Sequence, residues 1–165
     1  MVPYSRLLSA VLLGASTLIG VQLAFAAGRG SPPTEVSTSL DLPANFVKPG
    51  SCDFPIRVES RGKAGTIMLP GNRFIFTSPG LEAVVTNLDD PSQVVTLSVT
   101  GAFHQSIEPN GDVVTVVTGR NLLGDPEAGF VLAIGTFSFI FDSAGNLIQP
   151  LTGTGQLINV CELID

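Results

Sequence analysis

The sequence is poor in the aromatic residues that most often bind polar ligands. It contains no Trp, and its single Tyr is Tyr4, close to the first residue. Carbohydrate-binding modules usually stack sugars on Trp or Tyr rings, so this scarcity argues against a sugar-binding role. The aromatic content is otherwise Phe, with 10 residues in all, and Phe suits an apolar interior.

Histidine and cysteine are almost as scarce, which excludes several kinds of site. The chain has one His, His104, and two Cys, too few for a zinc site once the two Cys are committed to a disulfide. A calcium-loop pattern, a Gly-x-Ser-x-Gly motif and a phosphate-binding glycine motif are also missing. We therefore expect neither a metal nor a cofactor.

Basic residues are outnumbered by acidic ones. There are 8 Lys and Arg against 14 Asp and Glu, a formal net charge of −6, and the basic residues do not cluster. Nucleic acids and anionic membranes are bound by clustered Lys and Arg. Neither is expected as a partner of the processed protein.

The first residues have the pattern of a targeting signal. Arg6 precedes an apolar run, Leu7 to Phe25, which ends in Ala24-Phe25-Ala26. A basic start, an apolar stretch and a small-x-small site predict a secretory signal peptide over residues 1–26 and a secreted protein. The alternative is an uncleaved anchor, because the apolar run is nearly long enough to span a bilayer.

The two cysteines, Cys52 and Cys161, predict a disulfide. Exported proteins meet oxidising surroundings, in which an even number of cysteines favours pairing. The bridge would join the start of the folded region to its end. An intermolecular bridge or two free thiols are the alternatives.

After the signal peptide, we expect a flexible leader containing Pro and Gly over residues 27–50, with one short edge strand at Glu35–Leu42, and a β domain over 51–165. Runs rich in Val, Ile, Thr and Phe alternate there with turns, and Asn110-Gly111 is the strongest hairpin signal. The predicted strands are Phe54–Glu59, Gly65–Leu69, Arg73–Thr77, Glu82–Asn87, Val94–Ile107, Val113–Thr118, Phe130–Phe141, Leu147–Leu151 and Gln156–Leu163.

This pattern predicts an all-β fold. The disulfide requires the first and last strands to lie close together, as in a closed barrel. A single antiparallel β-barrel, similar in size to lipocalin-like or allene-oxide-cyclase-like barrels, is the prediction, and a β-sandwich is the runner-up.

One predicted strand is apolar on both faces. Phe130 to Ile134 are all apolar, and Phe137, Phe139 and Phe141 follow on one face after Gly135. Such a strand is either buried on both sides or used for self-association. Gly135 suggests a bulge or a close backbone approach. The three later Phe residues are candidate binding residues in an apolar lumen.

Polar candidates are few. His104 lies on the polar face of its strand and is a weak candidate for a general base, although a solvated surface histidine is the simpler interpretation. Arg120 and Asn121 open the polar segment 118–127, which we interpret as a loop able to bind a ligand carboxylate. The simpler interpretation of Arg120 is an ion pair with Asp125 that braces this loop.

The predicted hairpin keeps the two catalytic candidates apart. Pairing about Asn110-Gly111 sets residue 104 opposite 117 and residue 101 opposite 120. His104 and Arg120 would then project from opposite faces of the sheet, so a joint site is not expected.

The second half of the sequence carries a resemblance. Three segments resemble a group of small secreted actinobacterial proteins to which no function is assigned. They are Gly119-Arg-Asn-Leu-Leu-Gly-Asp-Pro126, Gly129-Phe-Val-Leu132 and Phe141-Asp-Ser-Ala-Gly-Asn-Leu147. The resemblance implies an exported bacterial domain and carries over no catalytic residue.

Three functions remain open at this point. The first is a secreted binding module for a small apolar ligand or a cell-envelope partner. The second is an isomerase or cyclase acting inside a barrel, which requires His104, Arg120 or Glu108 to point inward. The third is a protein that self-associates through the Phe130–Phe141 strand. The absence of catalytic motifs favours binding over an enzyme.

Overall fold

The structure is a computed structural model that describes residues 32–49 and 51–165. The predicted signal peptide, residues 1–26, and the first residues of the predicted leader lie outside the described residues. Within the described part of the chain, no helix is long and apolar enough to cross a membrane.

The described chain forms nine strands and one short 3₁₀ turn at Cys161–Leu163. The strands are β1 (Thr34–Leu42), β2 (Ile56–Leu69), β3 (Arg73–Thr77), β4 (Glu82–Asn87), β5 (Val94–Ser98), β6 (Gly101–Ile107), β7 (Val113–Asp125), β8 (Gly129–Phe141) and β9 (Leu147–Asn159). All strand pairs are antiparallel, and they follow the order β5-β4-β2-β3-β6-β7-β8-β9, with β1 added to β2. The all-β antiparallel prediction is confirmed.

Strand β2 belongs to two parts of this sheet. Its first half pairs with β1 and β4, and residues 65–69 pair with β3. We call β1, the first half of β2, β4 and β5 the first sheet, and the second half of β2, β3 and β6 to β9 the second sheet. Among the described residues, β9 pairs with β8 alone, so hydrogen bonding does not close the strands into the predicted barrel.

The predicted strand Val94–Ile107 is divided into β5 and β6, because the chain passes there from one sheet to the other. The buried Ser78 holds the segment between β5 and β6. Its hydroxyl donates to the carbonyl of Val99 at 2.7 Å and accepts from the Gly101 amide at 3.1 Å. Conversely, the predicted strands at 54–59 and 65–69 belong to the single strand β2, and those at 147–151 and 156–163 to β9 with the 3₁₀ turn.

The edge strand predicted inside the leader is present as β1. It pairs with β2 along its whole length, and Asp41 receives two hydrogen bonds from Arg57, at 2.6 and 2.8 Å. These bonds hold the pKa of Asp41 below its usual range. Phe46 then packs edge-on against Phe130, with ring centroids 5.2 Å apart. The folded region therefore begins ahead of residue 51, where the sequence suggested that it starts.

The first core lies between the first sheet and the strands β8 and β9. Ile56 and Val85 of the first sheet contribute to it, together with Phe130 and Leu132 of β8. The Cys52–Cys161 disulfide belongs to this core, with the two Cα atoms 5.2 Å apart. The predicted disulfide is confirmed, and Cys161 lies in the 3₁₀ turn rather than in the last strand.

A row of glycines crosses the second sheet. Gly101 lies opposite Gly119, Gly119 opposite Gly135, and Gly135 opposite Gly155, so four adjacent strands each place a glycine at the same level. A Cβ built on Gly135 would lie less than 3.0 Å from the backbone of β9. We call these four residues the glycine row. Glycines at such positions let neighbouring backbones approach closely and the sheet bend.

The second core spans the glycine row. Val131 and Ala133 lie on one side of the row and Phe137 and Phe139 on the other, yet all four belong to one buried cluster. Phe130 and Leu132, on the opposite face of β8, belong to the first core. The strand that is apolar on both faces is therefore buried on both faces within one chain, and its pattern no longer supports self-association through it.

We expect Gly135→Ala to lower the free energy of unfolding by about 3 kcal/mol or more, because the added methyl group meets the β9 backbone and the φ of +139° disfavours any L side chain. Gly71→Ala is the control, because Gly71 has φ +76° but no heavy atom near its Cβ position. It should cost only about 1–2 kcal/mol. Urea unfolding measures both, and equal losses would show that the glycine row is not sterically required.

The disulfide is expected to supply much of the stability. It closes a loop with a sequence separation of 109 residues, and removing such a closure costs roughly 4–5 kcal/mol in the loop-entropy picture. The paired substitution Cys52→Ser/Cys161→Ser should show this loss in urea unfolding without introducing free thiols. A loss below about 1 kcal/mol would mean that core packing alone holds the two ends together.

Candidate functional site

The inner face of the second sheet is lined by phenylalanines. Phe74 lies opposite Gln105, Gln105 opposite Thr115, and Thr115 opposite Phe139, so side chains from four strands project from one face. The same register adds the residues two positions away on each strand. We call this whole surface the phenylalanine face, after the Phe residues that it contains: Phe74, Phe76, Phe103, Phe137, Phe139 and Phe141.

Exposure on this face increases away from β8. Phe137 and Phe139 are each only 6% exposed, whereas Phe141 is half-buried and stacks edge-on against Phe139 with centroids 5.7 Å apart. Ile107, in the row of Phe141, is 41% exposed, and Met68, level with Phe139 but on β2, is 45% exposed. The face is therefore packed at β8 and accessible towards β2 and the hairpin turns.

One polar pair interrupts the phenylalanine face. The side-chain amide of Gln105 donates a hydrogen bond to the hydroxyl of Thr115 at 3.1 Å. Thr115 is fully buried, and Gln105 is half-buried. This pair was not predicted from the sequence. The pattern that could have indicated it is a polar residue, Thr115, between Val113 and Val117 on the inward-facing side of β7.

The predicted binding residues Phe137, Phe139 and Phe141 are thus brought together, but the predicted polar residues lie elsewhere. Asn121 is buried beside the glycine row, and its amide donates to the Thr118 carbonyl at 3.0 Å. The Asn121 side chain packs over Gly101, where it occupies the space that a side chain at position 101 would need.

Arg120 does not form the predicted pair with Asp125. Its Nε donates to the carbonyl of Ser98 at 2.9 Å. Asp125 instead accepts from the backbone amides of Glu127 and Ala128, which caps the turn between β7 and β8. The segment 118–127 is mostly strand rather than loop, since β7 continues to Asp125.

His104 and Arg120 lie on the same face, contrary to the prediction. The turn after β6 contains three residues, with the Glu108 amide bound to the Asp112 carbonyl and Gly111 at φ +90°. This shifts the register by one residue, so that His104 lies opposite Val116. Arg120 comes level with Thr100, four residues from His104, or about 13 Å along the strand.

Both candidates therefore project from the outer face, away from the phenylalanine face. His104 is exposed, and Glu108 is also exposed, where it accepts a hydrogen bond from Ser106. None of the acid–base candidates faces the apolar interior. Within the part of the chain that the structure describes, no cluster of three or more His, Cys, Asp or Glu residues could hold a metal ion.

The accessible end of the face is bordered by two turns of the same form. The turn Asp142–Asn146 repeats the hydrogen bonds of Glu108–Asp112, and a Cβ on Gly111 would meet the side chain of Ser143. Asn146 donates to the Asp142 carboxylate at 2.8 Å, which helps to hold the pKa of Asp142 below its usual range. The two turns thus pack against each other.

Comparison of this chain with known protein families, with curated proteins and with solved structures finds no match. The resemblance to small secreted actinobacterial proteins stays a prediction.

Thr115→Val should lower the free energy of unfolding by about 1 kcal/mol, because it removes the hydrogen-bond acceptor of Gln105 at a fully buried position. Thr118→Val on the outer face of the same strand is the matched control. Its hydroxyl makes no hydrogen bond to the described residues, so we expect little change. If both variants lose the same stability in urea unfolding, the inner polar pair contributes nothing specific.

Proposed function

We propose that this protein is a secreted module that binds a small, largely apolar molecule on the phenylalanine face. The observation that carries the proposal is the rise in exposure across the largely apolar inner face of the second sheet, from 6% at Phe139 on β8 to 45% at Met68 on β2. Binding sites for small molecules are concave and mostly apolar, with a few placed polar groups. The half-buried Gln105 supplies such a group here, held in place by its hydrogen bond to Thr115.

The chemistry of the face favours an uncharged ligand. Between the glycine row and the hairpin turns, its described positions carry only Phe, aliphatic, Met, Gly, Gln, Pro and Thr residues. A charged head group held there would lose water without gaining an opposite charge, which is costly. An apolar body that covers Ile107 and Met68 would gain about 25 cal/mol for each Å² removed from water.

The location outside the cell belongs to the same proposal. It is supported by the signal-peptide pattern at residues 1–26 and by the disulfide, because disulfides persist mainly in oxidising compartments. The same apolar surface would also accept an apolar component of the cell envelope.

Binding is favoured over catalysis by the placement of the titratable side chains. An isomerase or cyclase needs an acid or a base beside its substrate, at hydrogen-bonding distance. His104 lies on the outer face and Glu108 in a solvent-exposed turn. Arg120, on the outer face, already binds a backbone carbonyl.

The first experiment is native mass spectrometry of the protein recovered from the medium of the cells that produce it. We expect a discrete adduct that is lost on denaturation and whose mass corresponds to a neutral apolar compound. A bare chain, together with no binding of the neutral apolar dye Nile red to the purified protein, would overturn the proposal.

Two isoleucines allow a matched test of the surface. Ile107 lies on the phenylalanine face and is 41% exposed, whereas Ile67 is 37% exposed and lies opposite Ile75 on the outer face. Ile107→Lys should weaken Nile red binding at least about ten-fold, because the ammonium group would have to be desolvated. Ile67→Lys should leave it unchanged. Equal effects would place the dye elsewhere.

A further inference from the structure

Strand β9 forms one end of the second sheet and leaves a long edge open. Among the described residues, it pairs with β8 and with no other strand. Residues 152–157 are all exposed, including Leu157 at 42%. The whole strand, LIQPLTGTGQLIN, contains no charged residue, although the chain carries 14 acidic and 8 basic residues.

The other ends of the sheets carry features that oppose strand addition. In the first sheet, β1 has the carboxylates of Glu35 and Asp41, and β5 is only five residues long. The other end of the second sheet is residues 65–69 of β2, which are also only five residues. Charges and short length are the usual devices that keep edges from pairing. In β9, only the start carries such a device, Pro150 within an irregular stretch of the pairing with β8. Residues 152–159 have none.

We propose that a second copy of this chain pairs with this edge, so that two β9 strands run antiparallel about a two-fold axis and the second sheets of two chains become continuous. Antiparallel pairing of a strand with itself is closed by two-fold symmetry, so it yields a dimer and not a filament. Because β9 contains no charged residue, the edge meets a second copy of itself without like charges.

Side chains on both faces of the edge suit this partner. On the outer face, Thr154 and Gln156 of one chain would meet the same polar residues of the second chain. On the other face, Leu157 would gain apolar contact across the strand pair. Cross-strand pairs of this kind stabilise antiparallel sheets. Free backbone groups of residues 152–159 supply the hydrogen bonds.

The test is sedimentation velocity of the secreted chain over a range of concentrations. We expect a monomer–dimer equilibrium. The paired substitution Thr154→Lys/Gln156→Lys places like charges across the two-fold axis and should weaken dimerisation at least about ten-fold. Thr136→Lys is the matched control, because Thr136 is exposed on the same face but lies on β8, opposite Thr154. It should dimerise like the unsubstituted chain.

Hydrogen exchange provides a readout of the edge itself. In the dimer, amides within residues 152–159 should exchange more slowly as the concentration rises, and this protection should disappear in the doubly substituted chain. A monomer at all concentrations would overturn the proposal, as would a dimer that the Thr136→Lys control disrupts equally. A monomer whose edge is protected at every concentration would also overturn it, because another part of the same chain would then cover β9.

Discussion

The close approach of backbones along the glycine row is the constraint on which the rest of the second sheet depends. At this level, β9 lies so near β8 that a methyl group on Gly135 or Gly155 would clash with a carbonyl oxygen of the neighbouring strand. Because side chains are excluded there, residues on either side of the row share one core. The inner face of the long strands can thus bury Val131 and Phe137 together, which a flat sheet of the same strands would leave apart.

Burial on both faces gives β8 its central place in the molecule. Phe130 and Leu132 contact the first sheet, the disulfide lies in the same cluster, and Val131 and Ala133 contact the second core. The two cores therefore share one strand, so a change that displaces β8 is felt in both. Phe139 of the phenylalanine face lies on the same strand, so its burial depends on the position of β8.

Much of the architecture could be predicted from the sequence, because alternation of apolar residues, turn residues and paired cysteines each have a direct physical cause. The two-faced pattern at 130–134 correctly indicated burial on both sides. Register was harder: one extra residue in the turn at Gly111 moved His104 from opposite residue 117 to opposite Val116. The pair of Thr115 and Gln105 was not predicted, because such a buried polar pair depends on which strands are neighbours, and no local sequence pattern encodes that. The loop predicted at residues 118–127 is wrong for the same reason. Its polar residues Arg120 and Asn121 belong to β7 and hydrogen-bond to backbone carbonyls of the sheet region.

The Cys52–Cys161 bridge also turns most of the described chain into a closed covalent ring. A protease that cuts any one surface turn inside this ring, such as Glu108–Asp112 or Asp142–Asn146, leaves two pieces that remain joined through the sulfur atoms and through the sheet. Separation requires a second cut or reduction. In surroundings rich in peptidases, a nicked molecule of this design keeps all of its residues and its strand pairing, so its loss is governed by reduction as much as by cleavage.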